Sequence, residues 1–318
     1  LVQDGELAGI YARVFGSLGV GGEELAVNTK AAGNQVNAHV SALSDGGFLI
    51  GWVDSAAPQQ VYLQLFSDDG SKRGEDKIVS VDDITTVNNS QNIEFAELTG
   101  GSLAVVWDAW KGSRDIFGRT LSADFEPPLE DIGFTSAIER LNSTTSGDQI
   151  NPSIAALPND RFAMIWSDRA GNDGDRGGIF GRIYNSDLAA VTEEFVVNTL
   201  TTDWQSKSNI ASASNGNLMA IWHQSNGYVE GQILNASGGK IGSQFTVQEG
   251  FNGLSDVVAD SLGNFWVVST VNGGSGYLNK YSNTGELIVD SQVFQSDVVA
   301  FDPVVTALSD GRILVSWY

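Results

Sequence analysis

The chain has 318 residues, with 17 basic against 39 acidic side chains, a net charge of −22 and no cysteine. That balance excludes the basic surface needed by nucleic acid or an anionic membrane, and the lack of cysteine excludes disulfide scaffolds, thiolate metal sites and thiol nucleophiles. No apolar run reaches the roughly eighteen residues of a spanning helix, so membrane insertion is not expected.

Along the chain one unit recurs. Residues 1–30 hold IYARVF (10–15) and EELAVNT (23–29). Residues 31–86 hold VNAHVSAL (36–43), LSDGGFLIGW (43–52) and VYLQLF (61–66). Residues 87–146 hold NIEFAEL (92–98), LTGGSLAVVW (98–107) and IFGRTL (116–121). Residues 147–203 hold INPSIAAL (150–157), LPNDRFAMIW (157–166), IFGRIY (179–184) and EEFVVNT (193–199). Residues 204–250 hold ASNGNLMAIW (213–222), YVEGQIL (228–234) and SQFTVQE (243–249). Residues 251–297 hold the worn copy DSLGNFWVVS (260–269), with Ser269 in the Trp column, and YLNKYS (277–282). Residues 298–318 hold DPVVTAL (302–308) and LSDGRILVSW (308–317).

Each motif is short, rich in Val, Ile and aromatics, and bounded by Gly, Asn, Asp or Ser, which is the pattern of strands joined by tight turns. Four such strands per unit form a small antiparallel sheet that buries its faces only against neighbours. The expected fold is therefore all-β, a six-bladed β-propeller of four-stranded antiparallel blades, 318/6 = 53 residues each. Blade one is split between 1–30 and 298–318, and pairing of these halves closes the ring in a single domain. A start in mid-repeat without Met implies a piece of a larger polypeptide. The sequons at Asn88, Asn142 and Asn235 read as chance in an Asn- and Ser-rich chain.

These motifs resemble a repeat of large secreted and surface proteins of bacteria, which runs roughly Q-x-x-P-x-V-A-A-L-x-D-G-G-F-V-V-V-W, then G-I-Y-G-Q-R-F, then E-F-x-V-N-T. The fourth copy matches best, with QINPSIAALPNDRFAMIW (149–166), GIFGRIY (178–184) and EEFVVNT (193–199), and the last two copies depart furthest. The resemblance implies an extracellular or cell-surface location, in proteins that often carry RTX-type calcium-binding repeats and resemble adhesins. It supplies no ligand.

Candidate sites fall on the variable loops and the first strands. The loop SDRAGNDGDRGG (167–178) offers Asp168, Asn172, Asp173 and Asp175 as hard oxygen ligands for Ca²⁺, or else as an Asx/Gly turn. Trp52, Trp107, Trp166, Trp222 and Trp317 share one column and read as packing. Trp110 and Trp204 lie outside it and read as a sugar platform or as caps on their own blades. On the first strands, His39, Glu94, Ser153, Asn209, Asp256 and Val304 align at one level. Two residues earlier stand Asn37, Asn92, Asn151, Lys207, Leu254 and Asp302. The asparagines Asn37, Asn92 and Asn151 are candidate ligand-binding groups.

With two histidines and no nucleophile motif, the expected function is a non-catalytic extracellular recognition or adhesion module, leaning away from an enzyme. It would bind carbohydrate or a cell-surface protein, with calcium as a structural aid. The alternatives are a polysaccharide hydrolase or lyase using the carboxylates Glu94, Asp256 or Asp302 with His39, and a self-assembling surface subunit. Oligomeric state is not legible.

Overall fold

The computed structural model describes residues 9–15, 21–29, 33–55, 59–80, 92–110, 112–121, 137–271, 275–294, 303–308 and 311–316. Among these there are 24 strands and no helix. They fall into two compact units, Leu1–Asn142 and Ser143–Tyr318.

The first unit holds β1 (Tyr11–Phe15) paired with β2 (Gly21–Ala26). It also holds the sheet β3 (Gln35–Ala42), β4 (Phe48–Asp54), β5 (Gln60–Phe66), β6 (Lys77–Ile78). Its third sheet is β7 (Ile93–Glu97), β8 (Leu103–Trp110), β9 (Arg114–Leu121), β10 (Glu139–Arg140). The second unit holds β11 (Gln149–Leu157), β12 (Arg161–Asp168), β13 (Gly178–Asn185), β14 (Phe195–Val196) as one sheet. The next is β15 (Gln205–Ser212), β16 (Leu218–Gln224), β17 (Tyr228–Leu234), β18 (Lys240–Glu249). The last are β19 (Phe251–Ala259), β20 (Phe265–Val271), β21 (Gly276–Tyr281), β22 (Leu287–Phe294), and the pair β23 (Val304–Ala307), β24 (Ile313–Ser316). All pairings are antiparallel between strands consecutive in the chain.

The described sheets therefore number seven rather than six, five of four strands and two of two. The difference lies at the ends, where the two expected half-blades stand as separate two-stranded sheets.

The Trp column is core, as its repetition implies: Trp52, Trp107, Trp166 and Trp222 are all buried, while Trp317 lies outside the described residues. Trp52 stacks on Tyr62 across its strand pair at 5.7 Å, and Trp166 on Phe180 at 6.4 Å. Sheets share cores with their neighbours: Ile165, Ile179 and Val197 pack with Ile210 and Trp222, and Met219 and Ile233 pack with Val257 and Val267.

The V-N-T motif has a structural cause. Its Asn accepts the backbone N–H that opens the third strand: Asn28 Oδ1 from Ile10 at 2.8 Å and Asn198 Oδ1 from Ile179 at 2.8 Å. Asn142 does the same for Ile116 and is buried, which also removes it as a glycosylation acceptor. This pin holds fourth strands whose ladders are only two residues long in β6, β10 and β14; in the β3–β6 sheet Ser80 Oγ takes the role, accepting from Val61 N–H at 2.9 Å. The worn copies lack the Asn, and their fourth strands β18 and β22 run ten and eight residues instead.

Candidate functional site

The first strands bend before they reach the polar level found in the sequence. Register shifts by a bulge between Val36 and His39, between Ile150 and Ser153, and between Ser206 and Asn209. Inside these bulges Asn37, Asn151 and Lys207 take left-handed φ of 54°, 56° and 51°. Asn tolerates that conformation, whereas a lysine there costs about 1–2 kcal/mol. Bulges re-aim side chains and gather beside functional sites. They also break the two-residue alternation at Asn37, Asn151 and Lys207, so plain strand periodicity does not carry through to the second level there, while Asn92 stands one residue before β7. Asp302 lies outside the described residues.

In the second unit the level forms one hydrogen-bonded line. Ser153 Oγ donates to Asn209 Oδ1 at 3.0 Å, and Asn209 Nδ2 donates to Asp256 Oδ1 at 2.8 Å. Asp256 Oδ1 also accepts from Val257 N–H at 2.9 Å, and its Oδ2 from Val305 N–H at 2.9 Å. Three N–H donors thus fix this carboxylate on β19. Sequence reading named Asp256 but missed that Ser153 and Asn209 would orient it; their shared level was the signal. Beside this line His223 Nε2 lies 3.0 Å from Ser255 Oγ. Burial, and then the charge of Lys207, push His223 down to about 3, so it is neutral and no proton shuttle near neutrality.

In the first unit His39 Nε2 lies 3.7 Å from Glu94 Oε2, beyond hydrogen-bond length but within ion-pair reach. The His39 ring stacks on Phe95 at 5.8 Å. Both His39 and Glu94 keep part of their side chains in solvent. A largely apolar cleft of about 440 Å³ opens beside them, bordered by Tyr11, Arg13, His39, Val40 and Phe48.

The loop 167–178 is built as an Asx turn. Asp168 is buried and accepts from Gln149 Nε2 and Asn172 Nδ2 at 2.6 Å each, from Ala170 N–H at 2.9 Å and from Asn172 N–H at 3.3 Å. Asp173 Oδ2 accepts from Asn198 Nδ2, and Asp175 Oδ2 from Asp203 N–H. Among the described residues no three Asp, Glu, His or Cys side chains converge on a common point. Trp110 ends β8 at 45 % exposure, and Trp204 is 39 % exposed with its ring edge over Gly177. A Cβ at residue 177 would stand 3.1 Å from that ring.

No family model matches the chain, and no curated protein does. Solved structures do. An α-L-arabinanase of Penicillium chrysogenum complexed with arabinobiose is 15 % identical over 89 % of this chain and 93 % of its own, with a TM-score of 0.56. A GH93 α-L-arabinofuranosidase of Fusarium graminearum is 14 % identical over 87 % and 85 %, with a TM-score of 0.57. An intramolecular trans-sialidase of Ruminococcus gnavus is 9 % identical over 90 % of each chain, with a TM-score of 0.59. At such identities the likeness shows the fold, an all-β propeller-like architecture.

These matches correct the expected function. The reading of a non-catalytic adhesion module, leaning away from an enzyme, gives way, because the matched structures are glycosidases. They favour the polysaccharide-degrading alternative over it. Sequence motifs alone do not reveal such an activity, because glycosidic cleavage needs only carboxylates brought together by the fold, which leave no spaced motif. A cell-surface protein partner has no counterpart in these three matches.

Proposed function

We propose that this chain is a glycan-cleaving enzyme, a hydrolase or a lyase, acting on polysaccharide outside the cell. What supports this most is the fold likeness to arabinanases and sialidases across about nine-tenths of the chain. Two carboxylates on first strands are put forward as its chemical groups, each on its own geometry. Glu94 is the acid–base candidate, its side chain 26 % exposed and His39 at ion-pair distance. Asp256 is the fixed carboxylate, held in one orientation by three N–H donors.

The test is product release from a panel of arabinan, other neutral polysaccharides and sialylated glycans. Glu94→Gln and Asp256→Asn are each expected to lower turnover by about 10²–10⁴-fold. An unsaturated, ultraviolet-absorbing product would mark a lyase. No release by the wild-type chain from any substrate would sink the reading and leave the self-assembling surface subunit.

Two finer points belong to the same proposal. The propeller has six blades, with β1–β2 and β23–β24 as halves of one; a chain cut after residue 301 that melts cooperatively near the full-length temperature would refute this. Calcium acts as a structural aid through Asp173 and Asp175, since Asp168 is already occupied by four donors. A melting temperature unmoved between millimolar calcium and chelator would remove calcium.

A further inference from the structure

The β19–β22 sheet carries a cleft beside columns where its counterparts place bulkier side chains. Strand pairing aligns Tyr62, Phe117, Phe180, Glu230 and Tyr277 opposite Trp52, Trp107, Trp166, Trp222 and Ser269. Tyr277 is therefore an aromatic of its column with no Trp to stack on. Two residues on, on the same face, the other sheets place Gln64, Arg119, Arg182 and Gln232, and this sheet places the shorter Asn279. Both changes remove bulk from one face, and there a polar cleft of about 370 Å³ lies between β18, β21 and β22.

Its lining points to a ligand. Asn279 is 4 % exposed and donates Nδ2 to Val247 O at 3.0 Å, as Arg119 donates to Val79 O at 3.1 Å in the β7–β10 sheet. That bond leaves Asn279 Oδ1 buried with no hydrogen-bond partner among the described residues. A buried acceptor without a donor is costly, so a donor from outside is favoured there. Asp290 pairs directly opposite Asn279 on the same face, and Glu249 closes the other side from β18. The cleft thus sets the acceptors of Asn279, Asp290 and Glu249 beside one tyrosine ring, with Thr246 and Gln248 also on its lining, and the volume lies in the range of small-ligand sites rather than of a bare ion.

We propose that this cleft is an accessory carbohydrate site for a neutral sugar. The sugar's hydroxyls donate to Asn279 Oδ1, Asp290 and Glu249, and one ring face lies on Tyr277. The two carboxylates and the net charge of −22 repel uronates and sialic acids. None of Glu94, His39 and Asp256 lines the site, and its occupancy does not depend on cleavage.

The test is retention of the full chain on an array of neutral arabino-, xylo-, manno- and gluco-oligosaccharides beside sialylated and uronate-bearing ones, with chelator and, in parallel, with calcium. Neutral glycans are expected to be retained. Retention should fall at least tenfold in Asp290→Ala and in Tyr277→Ala, and stay unchanged in Glu94→Gln. Asp290 is exposed, so its variant keeps the wild-type melting curve and serves if Tyr277→Ala unfolds. Retention of acidic glycans alone, retention that needs calcium, retention indifferent to Asp290→Ala, or no retention would each overturn the assignment.

Discussion

The β11–β14 and β19–β22 sheets are built from the same repeat and are held together differently. In the first, Trp166 donates Nε1 to Gln149 Oε1 at 2.7 Å and stacks on Phe180, and Arg182 Nε reaches Thr192 O at 2.9 Å. Its two-residue fourth strand hangs on the Asn198 pin. In the second, Ser269 and Asn279 stand in those columns, and an eight-residue ladder replaces the pin. Its tryptophan has moved outward to Trp266, whose Nε1 donates to Asp260 Oδ2 at 3.0 Å while Lys280 Nζ lies 4.7 Å over the ring. Burial alone would raise the Asp260 carboxyl, but the N–H of Asn264, the Trp266 indole, the Asn264 amide and Lys280 outweigh it and hold it at about 2. Core aromatic stacking and a side-chain pin are thus interchangeable with a long backbone ladder and a polar surface cluster, and the exchange frees the face that forms the cleft.

The sharpest way to break this comparison is the Trp column. Trp166→Ala should cost about 3–5 kcal/mol in urea unfolding, whereas Ser269→Ala should be neutral or stabilising, since its buried Oγ has no partner among the described residues. Equal costs would erase the distinction. Next comes acid. His223 of the intervening sheet has a folded value of about 3 against 6.5 unfolded, so below 6.5 only the unfolded chain takes up the proton. Its stabilisation is full above that pH and falls by at most about 1.4 kcal/mol per unit down toward 3. His223→Gln should flatten the slope; an unchanged slope would place the sensitivity elsewhere. Asp260 adds a lower window, its contribution present above its unfolded value of 3.8 and lost as pH falls through about 2. Asn198→Ala leaves the Ile179 N–H without its acceptor and should cost about 1–3 kcal/mol by chemical denaturation. The smallest effect belongs to Lys280→Met, about 0.5–1 kcal/mol, because an ion pair and a cation–π contact near the surface are weak.

Strands, turns and the packing Trp column were legible because local chemistry writes them. Gly46, Gly101, Gly216 and Gly263 all take the left-handed φ that the tight turns demand, and Asn159–Asp160 substitute for glycine in LPNDRF at φ of 62° and 56°. The V-N-T motif was legible as a pattern but not as a pin, since its partner N–H lies 18 or 19 residues away. The site was legible only in part. Alignment found the level of Asp256 and Glu94, but the bulges at Asn37, Asn151 and Lys207 are a backbone choice that no side-chain pattern announces. Asp168 looked like a cation ligand because composition cannot show that four nearby donors already occupy it.

Among the described residues each strand pairs with its neighbours in sequence, and this has a kinetic consequence. An all-β chain normally folds slowly, because loop-closure entropy must be overcome before distant strands meet. Here the first hairpin of a sheet closes over a few residues, as between Leu157 and Arg161 or Ser212 and Leu218. Each sheet can therefore form as soon as its own stretch of chain is free, and the next can condense against it. The four-stranded sheets are suited to assembling progressively from a chain delivered end-first, whereas the closure proposed for β1–β2 and β23–β24 waits for the last strands.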